Sequence, residues 1–150
     1  MDNLIKRKII LDGQELLDLI PHRDPFVLVD KLFYHDPEKT KAGFSVPNDH
    51  YFVDDGFFTE FGLIENIAQT TGVHVGLYRR DKGIDIGIGF IGSISNFILN
   101  FRPKADAEIE TIIYVLNVVM GVVNVKGQVY QDDKLCAECE MKVFPPSQNN

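Results

Sequence analysis

Between Phe57 and Gly76, apolar or small residues recur at positions 57, 58, 61, 64, 68, 72 and 75, the three- and four-residue spacing of one helix face. The spacing predicts a central helix of about 30 Å over twenty residues. Gly62, Gly72 and Gly76 each cost a helix about 1 kcal/mol relative to Ala. Their presence predicts a close approach by other backbone, as from a sheet wrapped around the glycine-bearing face. Asp54, Asp55 and Glu60 suit the positive end of the helix dipole, and Arg79, Arg80 and Lys82 its negative end, with Gly83 as the stop.

Elsewhere the pattern changes period. Met1 to Leu11 reads as an edge strand or arm. Asp12 is placed to cap a short helix whose apolar side is Leu16, Leu17, Leu19 and Ile20, ended by Pro21. Phe26–Tyr34 and Thr40–Val46 read as a strand pair around the Asp36-Pro37-Glu38-Lys39 turn, and positions 47–56 as a loop. After the helix, strands are predicted over 86–102, 108–119, 122–130 and 135–144, with a frayed polar tail from Pro145. Two strands, one long helix and four more strands make a single α+β domain over 1–150, a six-stranded antiparallel sheet curled around one helix. Such a sheet has free edges, which predicts a homodimer or a multiple of one.

Composition narrows the function. The net charge of −7 argues against a general nucleic-acid binder. With two cysteines, no signal-peptide pattern and no apolar run of membrane length, the chain reads as cytoplasmic rather than membrane-bound. Cys136 and Cys139 fall in an alternating strand, where an offset of three predicts opposite faces and no metal or redox pair. No metal or other cofactor is expected.

The first chemical signal is Glu65, a carboxylate on a largely apolar helix face. Gln69, one turn on, is placed to hydrogen-bond and orient it. Near the helix start, the backbone around Phe61 and Gly62 can offer N–H donors to a developing negative charge.

Three ordered stretches carry a family likeness. Leu19-Ile20-Pro21-His22-Arg23-Asp24-Pro25-Phe26-Val27-Leu28-Val29-Asp30 resembles the opening motif of the β-hydroxyacyl-ACP dehydratases, and Ile64-Glu65-Asn66-Ile67-Ala68-Gln69 is similar to their helix motif. Gly89 to Phe97, leading into Phe101-Arg102-Pro103, looks like their third strand. The resemblance implies the hotdog fold, a dimer with continuous sheets, and a substrate carried on an acyl carrier protein. It implies that Glu65 is the catalytic acid, that the base is a His contributed by the opposite subunit, and that His22 borders the acyl tunnel. The family's catalytic His, fourteen residues before the Glu in a G-H-F-P-G loop, falls here on Tyr51, with His50 one position away and Phe52 beside it. That loop more closely resembles the divergent dehydratase-like proteins of aryl-polyene pathways. His50 is then the expected base, with His22 as the other candidate and Glu65 acting alone as the fallback; His35 and His74 have no motif around them.

The implied reaction is dehydration of 3-hydroxyacyl-ACP to trans-2-enoyl-ACP. Two other readings fit: thioester hydrolysis using Glu65, and a non-catalytic acyl-binding partner subunit. An acidic carrier protein calls for a basic docking patch, for which Arg79, Arg80, Lys82, Arg102 and Lys104 are candidates.

Overall fold

The computed structural model describes residues 8–87 and 89–144. In chain order it contains β1 (Leu11–Asp12), α1 (Gly13–Leu17), β2 (Lys31–Asp36), β3 (Lys39–Val46), β4 (Val53–Asp54) and β5 (Phe57–Phe58). Then follow α2 (Glu60–Asp81), β6 (Phe90–Leu99), β7 (Ala107–Val119), β8 (Val122–Gln131) and β9 (Lys134–Phe144). The main sheet runs β1-β2-β3-β7-β8-β9-β6, every neighbouring pair antiparallel. It has seven strands rather than six, because Leu11 and Asp12 add a short edge against Leu32 and Lys31. The four late strands fall where alternation places them, β6 excepted, which spans Phe90–Leu99 instead of 86–102. The sheet curls around α2 in the hotdog arrangement. The tail from Pro145 and the arm before Lys8 lie outside the described residues.

The helix buries a different face from the one its apolar spacing marks. Gly62, Leu63, Asn66, Ile67, Thr70, Val73, His74 and Leu77 are buried, whereas Phe61 is exposed and Ile64, Ala68, Gly72 and Val75 are half-buried. A helix wrapped on most of its circumference must bury polar positions too, so the buried stripe is mixed. The small and apolar stripe, which includes Glu65, is left at the open side.

The helix glycines do not face the sheet. A Cβ on Gly62 would fall 2.5 Å from the Phe58 ring. One on Gly76 would collide with the carbonyl of Leu19, and Gly72 abuts Ile20. Leu16, Leu19 and Ile20 thus cover the C-terminal half of α2, together with Leu32 and Ala42. The glycine that admits the helix to the sheet is Gly127 of β8, where a Cβ would run into Ile67.

Two elements are shorter than predicted. α1 stops at Leu17, and Asp12 caps it with no side-chain hydrogen bond. Phe26–Asp30 is not strand, although Leu28 and Val29 are buried, because helix side chains take its backbone groups. Leu28 N–H donates to Gln69 Oε1 at 2.7 Å, Asn66 Nδ2 donates to the Leu28 carbonyl at 2.8 Å, and Gln69 Nε2 to the Phe26 carbonyl at 2.8 Å. β2 therefore starts at Lys31.

Cys136 and Cys139 both point into the core, against the opposite-face expectation. The β8–β9 register shifts between Val129↔Ala137 and Tyr130↔Leu135, so Cys136 is an extra residue that resets the alternation. Burial pushes the thiols up to about 12 and about 11 respectively.

Candidate active site

Glu65 lies in the second turn of α2, with about a third of its side chain exposed. Gln69, almost fully buried, donates from Nε2 to Glu65 Oε1 at 3.1 Å. Its other bonds, to Phe26 and Leu28, leave it no freedom to turn away. The Phe26–Leu28 segment, Gln69 and Glu65 are therefore one rigid unit. Asn66 reinforces it, since its Oδ1 accepts the Thr111 hydroxyl at 2.5 Å.

His22 comes from the chain reversal after α1. Arg23 fixes that reversal: Nη1 donates to the carbonyls of Leu17, Ile20 and His22 at 3.1, 2.9 and 2.6 Å. His22 Nε2 is then 3.5 Å from Glu65 Oε1, and its Nδ1 is buried without a hydrogen-bond partner among the described residues. Half-exposed imidazole and carboxylate thus meet at the open side of the helix. They can exchange a proton through a small closing movement or one bridging oxygen.

The first turn of α2 is beside this pair. The Thr59 hydroxyl donates to the Phe52 carbonyl at 2.9 Å and does not cap the helix. The N–H groups of Phe61 and Gly62 have no partner within the helix.

The loop residues are placed differently from one another. His50 is packed among Phe44, Phe52 and Phe58, with centroids 5.8 to 5.9 Å apart, and its Nδ1 accepts the Phe52 N–H at 3.0 Å. Burial is the main reason its pKa lies below the usual value, opposed by Asp49 and the Pro25 carbonyl. None of these contacts reaches Glu65. Tyr51 is 78% exposed, and its ring meets Phe52 edge-on.

The basic candidates do not form one patch. Arg79 is buried, with Nε donating to the Asp85 carbonyl at 2.6 Å, so it is not a surface docking residue. Arg80 and Lys82 are exposed near the C-terminal end of α2. Arg102 pairs with Glu60 at 2.5 Å and approaches Asp54 at 3.9 Å, and Lys104 bridges to Phe57, both beside the N-terminal end. Twenty helical residues separate the groups by about 30 Å.

Among the described residues no cluster of three His, Cys, Asp or Glu side chains is placed to hold a metal ion, and no helix is long and apolar enough to cross a membrane. The positioning roles of Arg23 and Asn66 had one sequence signal. Asn66 and Gln69 are polar residues three apart in a helix, so they can reach the same neighbouring segment.

The family described as ApeP-like, ApeP dehydratase, matches residues 14–150. The 3-hydroxyacyl-[acyl-carrier-protein] dehydratase FabZ of Ruminiclostridium cellulolyticum is 30% identical over 142 residues, covering 89% of this chain and 96% of that protein. Its counterpart from Clostridium kluyveri is 31% identical over 137 residues, covering 85% and 91%. Among solved structures, the dehydratase heterocomplex ApeI:P from Xenorhabdus doucetiae superposes with a TM-score of 0.83 at 16% identity, covering 92% of this chain and 93% of that one. Thioesterase superfamily member 2 from Mus musculus gives 0.58 at 13% identity, covering 74% and 77%. At these identities the structural likeness is one of fold.

Proposed function

The chain belongs to the ApeP-like dehydratase family, and from this we infer that it dehydrates 3-hydroxyacyl thioesters on an acyl carrier protein to trans-2-enoyl thioesters, in fatty-acid or polyene-type biosynthesis. The single observation that carries the reading is the Glu65–His22 pair at 3.5 Å, held by Gln69 and Arg23 next to the open start of α2. Dehydration needs a base for the C2 proton and an acid for the departing hydroxyl. His22, as neutral imidazole, takes the proton; Glu65, as carboxylic acid, gives one to the leaving oxygen. The Phe61 and Gly62 amides stabilise the negative charge on the thioester oxygen. His22 replaces His50 as the favoured base, since His22 is the imidazole beside Glu65 within one chain, whereas the half-buried His50 packs against Phe44, Phe52 and Phe58.

We propose a second subunit along β6. This strand has one free edge and exposes Phe90, Ile91, Ile94 and Ile98. Its pairing with a second copy gives a homodimer, and the carrier protein docks beside Arg102 and Lys104, near the Glu65 end of α2. The setting is the cytoplasm, in keeping with two unpaired buried cysteines.

The test is incubation with 3-hydroxyacyl-, enoyl- and saturated acyl-ACP, following double-bond absorbance and free thiol separately, with light scattering for mass. Glu65→Gln and His22→Ala are each expected to lose ~10²–10⁴-fold in dehydration rate, with His50→Ala retaining activity. Thiol release without enoyl absorbance moves the assignment to hydrolysis. Loss confined to His50→Ala returns the base to His50. No turnover by the chain alone, restored by a second subunit, makes it a partner in a heterocomplex.

A further inference from the structure

Of the three glycines in α2, two are required by packing and one is not. A Cβ on Gly62 would stand 2.5 Å from the Phe58 ring, and one on Gly76 2.4 Å from the Leu19 carbonyl oxygen, so no side chain fits at either. At Gly72 a Cβ would meet only the Cγ2 of Ile20, at 3.5 Å, an ordinary van der Waals contact. Gly72 is half-buried in the interior of the helix. Glycine weakens a helix interior relative to alanine, and here neither a tight contact nor a positive φ calls for it. The chain keeps the space beside Gly72 open although helix stability favours filling it.

That space belongs to a narrow cleft of about 40 Å³, far below the ~300 Å³ at which small-molecule sites usually begin. Gly72, Val75 and Gly76 form its helix side, with Leu19, Pro21 and Val143 among the facing walls, and only Gly, Pro, Leu, Ile and Val residues line it. With no polar side chain to pair with, a polar occupant would lose its hydrogen bonds to water uncompensated, whereas a thin hydrocarbon loses none. The cleft adjoins the Glu65–His22 pair through two elements. Pro21 is bonded to His22, which lies 3.5 Å from Glu65. Gly72 is two turns beyond Glu65 on the same face of α2, with half-buried Ala68 between them. Two turns span about 10 Å. An extended hydrocarbon with bonds of ~1.5 Å advances about 1.25 Å per carbon, so roughly eight carbons bridge the distance.

We propose that Gly72 sets the acyl-chain preference of this protein: the missing side chain admits the tail of a 3-hydroxyacyl substrate of about ten carbons or more. The inference rests on the dehydratase reading of Glu65 and His22. With C3 of the substrate at Glu65, about the eleventh carbon reaches Gly72, whereas a four-carbon chain ends beside the reacting pair. A methyl group at Gly72 narrows the route of the long chain and removes no contact from the short one. The occupant is the substrate's own tail rather than a segment of a second subunit, because the cleft runs on from the reacting pair and is no wider than a single file of carbons.

The test compares kcat/KM of the full chain and of Gly72→Ala on 3-hydroxybutanoyl- and 3-hydroxydodecanoyl-ACP. Calorimetry with butanoyl- and dodecanoyl-pantetheine, which cannot be dehydrated, reads binding separately. Gly72→Ala should lower the ratio of long- to short-chain values about tenfold or more in both measurements, the discrimination that one methylene carries in an apolar pocket. Its urea midpoint should rise, because alanine favours the helix and meets no clash. A glycine kept for packing gives the reverse, a lower midpoint with equal losses on both chains, and that result overturns the assignment. An unchanged ratio overturns it too. Val75→Ala widens the same cleft and should raise the ratio; if Gly72→Ala does not fold, an unmoved ratio in Val75→Ala overturns the proposal. If the parent chain dehydrates neither substrate but Gly72→Ala abolishes the length dependence of binding, the cleft assignment holds and the dehydratase reading falls.

Discussion

Gln69→Leu separates the two tasks that Gln69 performs. The substitution keeps an apolar side chain of similar size and removes three hydrogen bonds. Their loss is unequal. The Leu28 N–H, on a residue with 0% exposure, would be left buried without its acceptor at 2.7 Å, a cost of about 1–3 kcal/mol. The Phe26 carbonyl belongs to a residue 57% exposed, so water replaces the lost donor there at little cost. The Glu65 bond, on a partly exposed carboxylate, adds about 0.5–1.5 kcal/mol at most. The expected destabilisation is about 2–4 kcal/mol, measured as a fall in the urea midpoint at constant m-value. Activity should fall as well, because Glu65 loses the donor that aims it, and kcat should fall more than KM rises. Gln69→Glu is the companion: its carboxylate can still accept the Leu28 N–H but faces Glu65, which raises the pH at which Glu65 ionises. The pH–rate profile should then move to higher pH. A midpoint unchanged in Gln69→Leu, or a pH profile unmoved in Gln69→Glu, refutes the hydrogen-bond arrangement.

Three other outcomes follow from buried groups. His74 has a pKa of about 4 when folded against 6.5 as the ordinary value. The unfolded chain therefore binds a proton that the folded chain refuses between those pH values, and stability falls as pH drops from about 6.5 to 4, by roughly 3 kcal/mol. Denaturation midpoints in His74→Gln should show a flatter acid limb. Cys136 and Cys139, raised to about 12 and about 11, should react with a thiol reagent at pH 8 only after unfolding; rapid native labelling would contradict their burial. Gly127→Ala forces a methyl into the Cγ2 of Ile67 and should cost about 1–3 kcal/mol, read as a fall in the urea midpoint.

Local pattern was enough for the parts of the fold that depend on period alone. One long helix, the antiparallel strands after it, and the turn at Asp36–Lys39 are legible because alternation and turn chemistry act over a few residues. Glu65 and Gln69 were legible as a pair because one helical turn separates them.

What the tertiary structure decided concerns residues whose roles come from neighbours far along the chain. The buried face of α2 is rotated from its apolar stripe because wrapping by the sheet and by Leu19–Ile20, not hydrophobicity alone, selects which side is covered. Phe26–Asp30 is buried yet not strand, since Asn66 and Gln69, about forty positions away, satisfy its backbone. A one-residue bulge turned Cys136 inward with Cys139, and no local pattern announces where a partner strand slips. Within one chain His22 lies beside Glu65 because Arg23 closes the turn after α1, while His50 packs against phenylalanines. Spacing along the chain fixes what a residue can reach within a turn or a strand; only folding fixes which distant group it meets.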